Sequence, residues 1–157
     1  MRIGMISLAE QPFFKGLPEH HLKMLIENAM EEEFSADELI FREGDPADRF
    51  YLICRGMVAL ESRTHTKCEP FLVETIGGYS MLGWSWLFPP YHWHFDARAV
   101  TDVKAIYFDG THLREQCETD HHLGYELTKR AGAMVIERLQ ATRRRLGEEN
   151  KSLLMPV

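Results

Sequence analysis

From residue 39 to residue 109 the sequence is cut into short runs rich in Val, Ile, Phe and Tyr, each closed by turn-forming residues. "ELIFRE" ends in "GDPAD". "RFYLICRG" passes through Gly56 into "MVALES". After the polar "RTHTKCEP" come "FLVETI" and a Gly77-Gly78 turn, and "VKAIYF" follows later. Such runs predict strands, because β-branched and aromatic side chains pack on a pleated surface while Gly, Pro and Asp supply the turns between them. A succession of short strands of this kind restricts the fold to an antiparallel roll or barrel. Alternation is clearest where Phe50, Leu52 and Cys54 oppose Tyr51, Ile53 and Arg55.

Helical spacing flanks this region. In "PFFKGLPEHHLKMLIENAM", Leu22, Leu25, Ile26 and Ala29 recur at helical intervals after Pro18. His20 and His21 are expected to be exposed, as are His121 and His122. "DGTHLREQCE" predicts a short helix, and a long one is expected from about 119 to 147, capped by Thr119 or Asp120. Leu123, Leu127, Ala131, Met134, Arg138 and Ala141 form one stripe; Ile136, Leu139 and Leu146 form another. Two apolar faces imply two neighbours, the helix's own roll and a second subunit. Small residues at Gly124, Ala131, Gly132, Ala133 and Ala141 permit close approach. The expectation is a homodimer through this helix, against the plainer reading in which the helix only folds back on the roll. The fold class is therefore α+β: an antiparallel β-roll (double-stranded β-helix, jelly-roll-like) with an N-terminal helix and a long C-terminal helix. Residues 1–118 hold the N-terminal helix and roll, and 119–157 the long helix and short tail of the same domain.

The chain has 157 residues, enough for one domain with its own core. No run approaches the ~20 apolar residues of a membrane span. "MRIGMISLAEQPFF" lacks the apolar stretch and cleavage site of a signal peptide, so a cytoplasmic protein without membrane contact is expected. Cys54, Cys68 and Cys117 are widely spaced with no CxxC, which argues against a disulfide framework or a cysteine-rich metal site. A net charge of −6 weighs against broad nucleic-acid binding. The cluster Arg143-Arg144-Arg145 suits a solvated helix C-terminus.

"GWSWLFPPYHWHFDARAV" (83–100) holds all three tryptophans, Trp84, Trp86 and Trp93, with Phe88, Tyr91, Phe95, His92, His94 and Pro89-Pro90. Its place in the fold follows from a resemblance. "IFREGDPADRFYLICRGMVAL" (40–60) closely resembles the roll core of cyclic-nucleotide-binding domains of the catabolite-activator/fumarate-nitrate-reductase class. Gly44-Asp45 match a tight turn, Tyr51 and Ile53 a strand, and Gly56-Met57-Val58 the next turn and strand. "RAVTDVKAIYFD" (98–109) matches the family's exit strand. The resemblance covers roughly residues 12–146.

It places 83–100 in the phosphate-binding cassette. There a short helix turns its N-terminal N–H groups to the cyclic phosphate, an Arg pairs with that phosphate, and a Glu after a Gly accepts the ribose 2′-hydroxyl. Gly83 matches the Gly. The Glu position falls on Trp84 and the Arg position on Trp93, followed by His94 and Phe95. Charge-assisted hydrogen bonds contribute about 1.5–3 kcal/mol each, and ~1.4 kcal/mol is tenfold, so losing both weakens a micromolar ligand by roughly a thousandfold or more. Cyclic AMP binding is not carried over, except in the alternative where the cassette loops differently and Arg98 becomes the phosphate partner.

The expected function is a non-enzymatic sensor or regulatory domain with three readings of the cassette. In the first, a repurposed pocket lined by Gly83, Trp84, Ser85, Trp86, Trp93, His94 and Arg98 takes an unknown planar or cationic small molecule. In the second, the tryptophans fill the pocket and the domain docks onto an unknown protein partner. In the third, His92 or His94 holds haem, as in gas-sensing relatives; no cofactor is otherwise expected. Catalysis is disfavoured: no nucleophile elbow, P-loop or dinucleotide fingerprint is present, and the test is whether His94 and Asp96 share a pocket. The resemblance also implies helix-side ligand contacts from Arg130, Ala131 and Met134. Fewer than about fifteen residues follow the predicted long helix, whereas the class's DNA-reading domain takes ~60–70, so direct sequence-specific DNA binding is not expected.

Overall fold

The computed structural model of the chain describes residues 8–62 and 71–154. A 3-10 turn (Pro12–Phe14) and helix α1 (Glu19–Asn28) precede seven strands: β1 (Met30–Phe34), β2 (Leu39–Phe41), β3 (Arg49–Arg55), β4 (Val58–Ser62), β5 (Phe71–Ile76), β6 (Asp96–Ala99) and β7 (Val103–Asp109). Helices α2 (Gly110–Thr119) and α3 (His121–Leu154) complete the chain. The strands form two antiparallel sheets, ordered β1-β7-β3 and β2-β6-β4-β5.

The alternation read along β3 is present, but both of its faces are buried. Tyr51 and Ile53 point into the roll with Phe41, Val58, Leu60, Leu82 and Val103. Phe50 and Leu52 point the other way, into a second core with Phe14, Leu25, Trp86, Phe108, Leu113 and Leu127. The three-stranded sheet therefore separates an inner core, shared with the other sheet, from an outer core shared with the helices. Cys54 packs against that outer core half-buried, where burial raises its thiol pKa; Cys68 lies outside the described residues.

The exit strand expected over 98–109 is two strands. β6 belongs to the four-stranded sheet and β7 to the three-stranded one, and the corner between them carries the chain across. A second crossing joins β3 to β4 at Gly56, which holds φ +101°. The crossings are tied together: the Val100 N–H donates to the Met57 carbonyl at 2.8 Å, and the Met57 N–H to Thr101 Oγ1 at 3.1 Å.

β1, "MEEEF", has no apolar alternation and is not predicted by its sequence. It is an edge strand paired only with β7, held by Glu31–Lys104 (2.8 Å) and Glu32–Arg49 (2.9 Å) ion pairs. Asp109 caps α2 by accepting from the His112 N–H at 3.0 Å. Asp120 rather than Thr119 caps α3, accepting from the Leu123 N–H at 3.1 Å. α3 runs past the predicted end near 147 to Leu154, a length of ~50 Å for 34 residues. Among the described residues no helix is long and apolar enough to cross a membrane.

Candidate functional site

The aromatic segment connects the two cores. It begins where Met81 bridges Leu52 and ends where β6 starts. Residues 84–90 form successive turns, with Leu87 N–H donating to the Trp84 carbonyl and Tyr91 N–H to the Phe88 carbonyl. The short helix that the resemblance implied here is not formed. Prolines at 89 and 90 remove two backbone donors that a helix would use.

Trp93 is placed by the "GDPAD" turn. Gly44 N–H donates to the Trp93 carbonyl (2.8 Å), Trp93 N–H to the Asp45 carbonyl (2.9 Å), and Ala47 N–H to the Tyr91 carbonyl (2.7 Å). This local pairing aims the indole inward, leaving it 3% exposed. It lies flat on Phe41, with ring centroids 3.8 Å apart and planes 8° apart. On its other side it meets Gly83: a Cβ there would come within 2.9 Å of the Trp93 ring and 3.5 Å of the Phe95 ring. Gly83, Trp93, Phe41 and Phe95 thus form one packed unit at the inner core.

The three tryptophans do not line one cleft, which corrects that expectation. Trp86 lies in the outer core, stacked on Phe50 at 4.6 Å, with its carbonyl accepting from Arg114. The cause is register: side chains at 86 and 93 leave the segment on opposite sides of the three-stranded sheet. Trp84 is half-buried beneath α3, with the Arg138 guanidinium 5.8 Å from its ring centre. Ser85 is buried. His94 and His92 are exposed; His92 Nδ1 donates to the Pro90 carbonyl at 2.7 Å. Among the described residues no three His, Cys, Asp or Glu side chains are grouped to hold a metal. Buried Asp96 accepts from the Glu43 N–H at 2.7 Å, so it shares no pocket with exposed His94.

Arg98 does not enter the roll. It lies on the outer face of β6, bonded to Glu61 at 3.2 Å and to the Asp37 carbonyl at 2.9 Å. Of the expected helix-side contacts, Ala131 and Met134 share a core with Trp84 and Trp86, and Arg130 turns to the N-terminal segment instead, donating to the Phe13 and Lys15 carbonyls. The α3 cation beside Trp84 is Arg138, which sequence reading took only for a stripe position. It donates to the Met81 carbonyl at 2.7 Å and sits 3.6 Å from Glu74. Burial lowers its pKa, and Glu74 partly opposes that shift. A cation among apolar stripe residues was the available sign.

Two antiparallel sheets joined by connections that cross between them, backed by helices, define a β-roll domain. The chain belongs to the cyclic nucleotide-binding domain family, whose sequence model matches residues 31–120. A CRP-like cAMP-activated global transcriptional regulator of Mycobacterium tuberculosis is 26% identical over 141 residues. The match covers 90% of this chain and 61% of that regulator's length. A candidate cyclic nucleotide-binding protein from Geobacter metallireducens superposes with TM-score 0.79 at 30% identity, covering 87% of this chain and 98% of the other. The regulatory subunit of a cAMP-independent protein kinase A from Trypanosoma cruzi, bound to guanosine, superposes with TM-score 0.64 at 25% identity, covering 71% and 39%.

Proposed function

We propose that this chain is a non-enzymatic regulatory module whose nucleotide position is filled by its own Trp93, and that it acts by docking as a dimer onto a protein partner. The observation that carries this is the Phe41–Trp93–Gly83 stack. An indole buried there fills the space against Gly83, and Arg98, the cation the resemblance offered as a phosphate partner, is engaged outside the roll. The crowding of Gly83 by the Trp93 and Phe95 rings supports a position closed to cyclic phosphate. The curated relative is a regulator, which supports a regulatory rather than catalytic role.

Calorimetric titration with cyclic AMP is expected to give no saturable heat up to millimolar concentration. Micromolar saturation overturns the filled-pocket reading. A planar nucleoside is the second reading, favoured by half-buried Trp84 beside Arg138 and by the guanosine bound to the T. cruzi relative. Saturation by guanosine but not cyclic AMP selects it.

The dimer rests on α3. Ile136, Leu139 and Leu146 are 57%, 58% and 54% exposed, with no atom within 4 Å of a Cβ built at Gly132. Covering this face with a second α3 removes three aliphatic side chains from water, worth up to about 1.5–3 kcal/mol each. Sedimentation equilibrium is expected to give a dimer for the natural chain and a monomer for Leu139→Glu. A monomeric natural chain at tens of micromolar removes the dimer from the proposal.

A further inference from the structure

His21 was expected to be exposed and is 2% exposed, the one histidine among the buried polar residues described. Its Nε2 faces His122 Nδ1 at 2.8 Å, across 101 residues of sequence. Its Nδ1 lies 3.7 Å from Asp120 Oδ2, while the other oxygen of that carboxylate caps α3. One imidazole on α1 therefore touches both the cap and the first turn of α3. The other charged groups facing it are His20 on α1, its ring 4.1 Å away, and Glu126 on α3, which lies 4.0 Å from His122 Nε2.

We propose that His21 and His122 form an acid-released latch between α1 and the start of α3, closed when the pair carries at most one positive charge and open when it carries two. The rule follows from hydrogen count. Two neutral rings share one hydrogen between the facing nitrogens. A first added proton, on either ring, still leaves one donor facing one acceptor, and the contact survives. A second proton puts hydrogens on both facing nitrogens. The bond is lost and two like charges stand 2.8 Å apart.

Burial first, then His20, lowers the pKa of His21 from its ordinary 6.5; Asp120 opposes this, His122 adds to it, and Glu126 opposes it. A lowered pKa in the closed form means that the latch is fully held above 6.5 and weakens as pH falls through the lowered value. α1 is the element released, because the rest of its described hold is the packing of Leu22, Met24, Leu25 and Ile26 on the outer core.

The test is hydrogen exchange by NMR from pH 7.5 to 5.0, corrected for intrinsic rates, on the intact chain. Amides of Leu22 to Ile26 are expected to lose protection by up to about tenfold per pH unit below the ordinary histidine value, while Ala105 and Ile106 in β7 stay protected. His122→Asn is expected to shrink the step, since its amide can offer either an oxygen or a nitrogen to His21 in both protonation states, leaving burial and His20 to oppose protonation of His21. Asp120→Asn is expected to move the step to lower pH. Flat α1 protection in the natural chain, an unchanged step in His122→Asn, or loss of β7 protection in the same step overturns the latch.

Discussion

Trp93→Ala is expected to destabilise the domain by about 3–5 kcal/mol, the range for removing a buried large aromatic. The indole is almost fully enclosed, and two of its neighbours cannot follow it inward. Phe41 is held in β2, and Gly83 has no side chain to move. The structure around the deletion therefore collapses little, which places the cost toward the upper end of that range. Urea unfolding read by circular dichroism checks it through the midpoint and slope. The same variant tests what the indole is for. A cavity between Phe41, Gly83 and Phe95 is apolar, and engineered apolar cavities stay dry and accept flat apolar molecules. Indole at millimolar concentration is expected to raise the melting temperature of Trp93→Ala and leave the natural chain unchanged. A loss below about 1 kcal/mol would mean that Trp93 does not fill the roll.

Gly56→Ala is the second large effect. Its Cβ would stand 2.3 Å from the Asp102 carbonyl oxygen and 3.0 Å from Val103 Cα, both backbone atoms. The φ of +101° adds strain of its own for a residue with a side chain. Backbone strain of ~1–3 kcal/mol and forced displacement of ~1–3 kcal/mol together predict a loss of roughly 2–5 kcal/mol. The displaced unit is the pair of crossings that joins the two sheets, so the loss is expected to be global. Hydrogen exchange should show both sheets weakened together. Gly44→Ala is the control: it shares a positive φ, but nothing lies within 4 Å of its Cβ, so it carries only the strain.

The turn and strand of the roll were legible because "GDPAD" and the strand after it are local patterns whose turn chemistry is written in consecutive residues. The residues at the positions the resemblance assigns to the polar anchors, Trp84 counted on from Gly83 and Trp93 counted back from Arg98, could also be read. The destination of each tryptophan could not. Trp86 and Trp93 are similar residues in one segment, yet they fill cores on opposite faces of a sheet. That sheet is made by β1, β7 and β3, and nothing near residues 86 or 93 encodes it. Arg98 was likewise open to two roles until the pairing of β6 with β2 and β4 set its face outward.

The histidines make the same point. His20 and His21 are neighbours at the start of one helix, and helical spacing alone favours exposure for both. α1 docks against the α2–α3 junction with His21 inward, and a residue 101 positions away becomes its partner. What the sequence determined by itself was local: strand and turn alternation, helix spacing and the residue types in the cassette, each a property of neighbours along the chain. What only the tertiary structure decided was which face of each element is covered and by what. Burial is set by elements distant in sequence, and it is burial that encloses Trp93 beside Phe41, brings Arg138 to the Met81 carbonyl and sets His21 against His122.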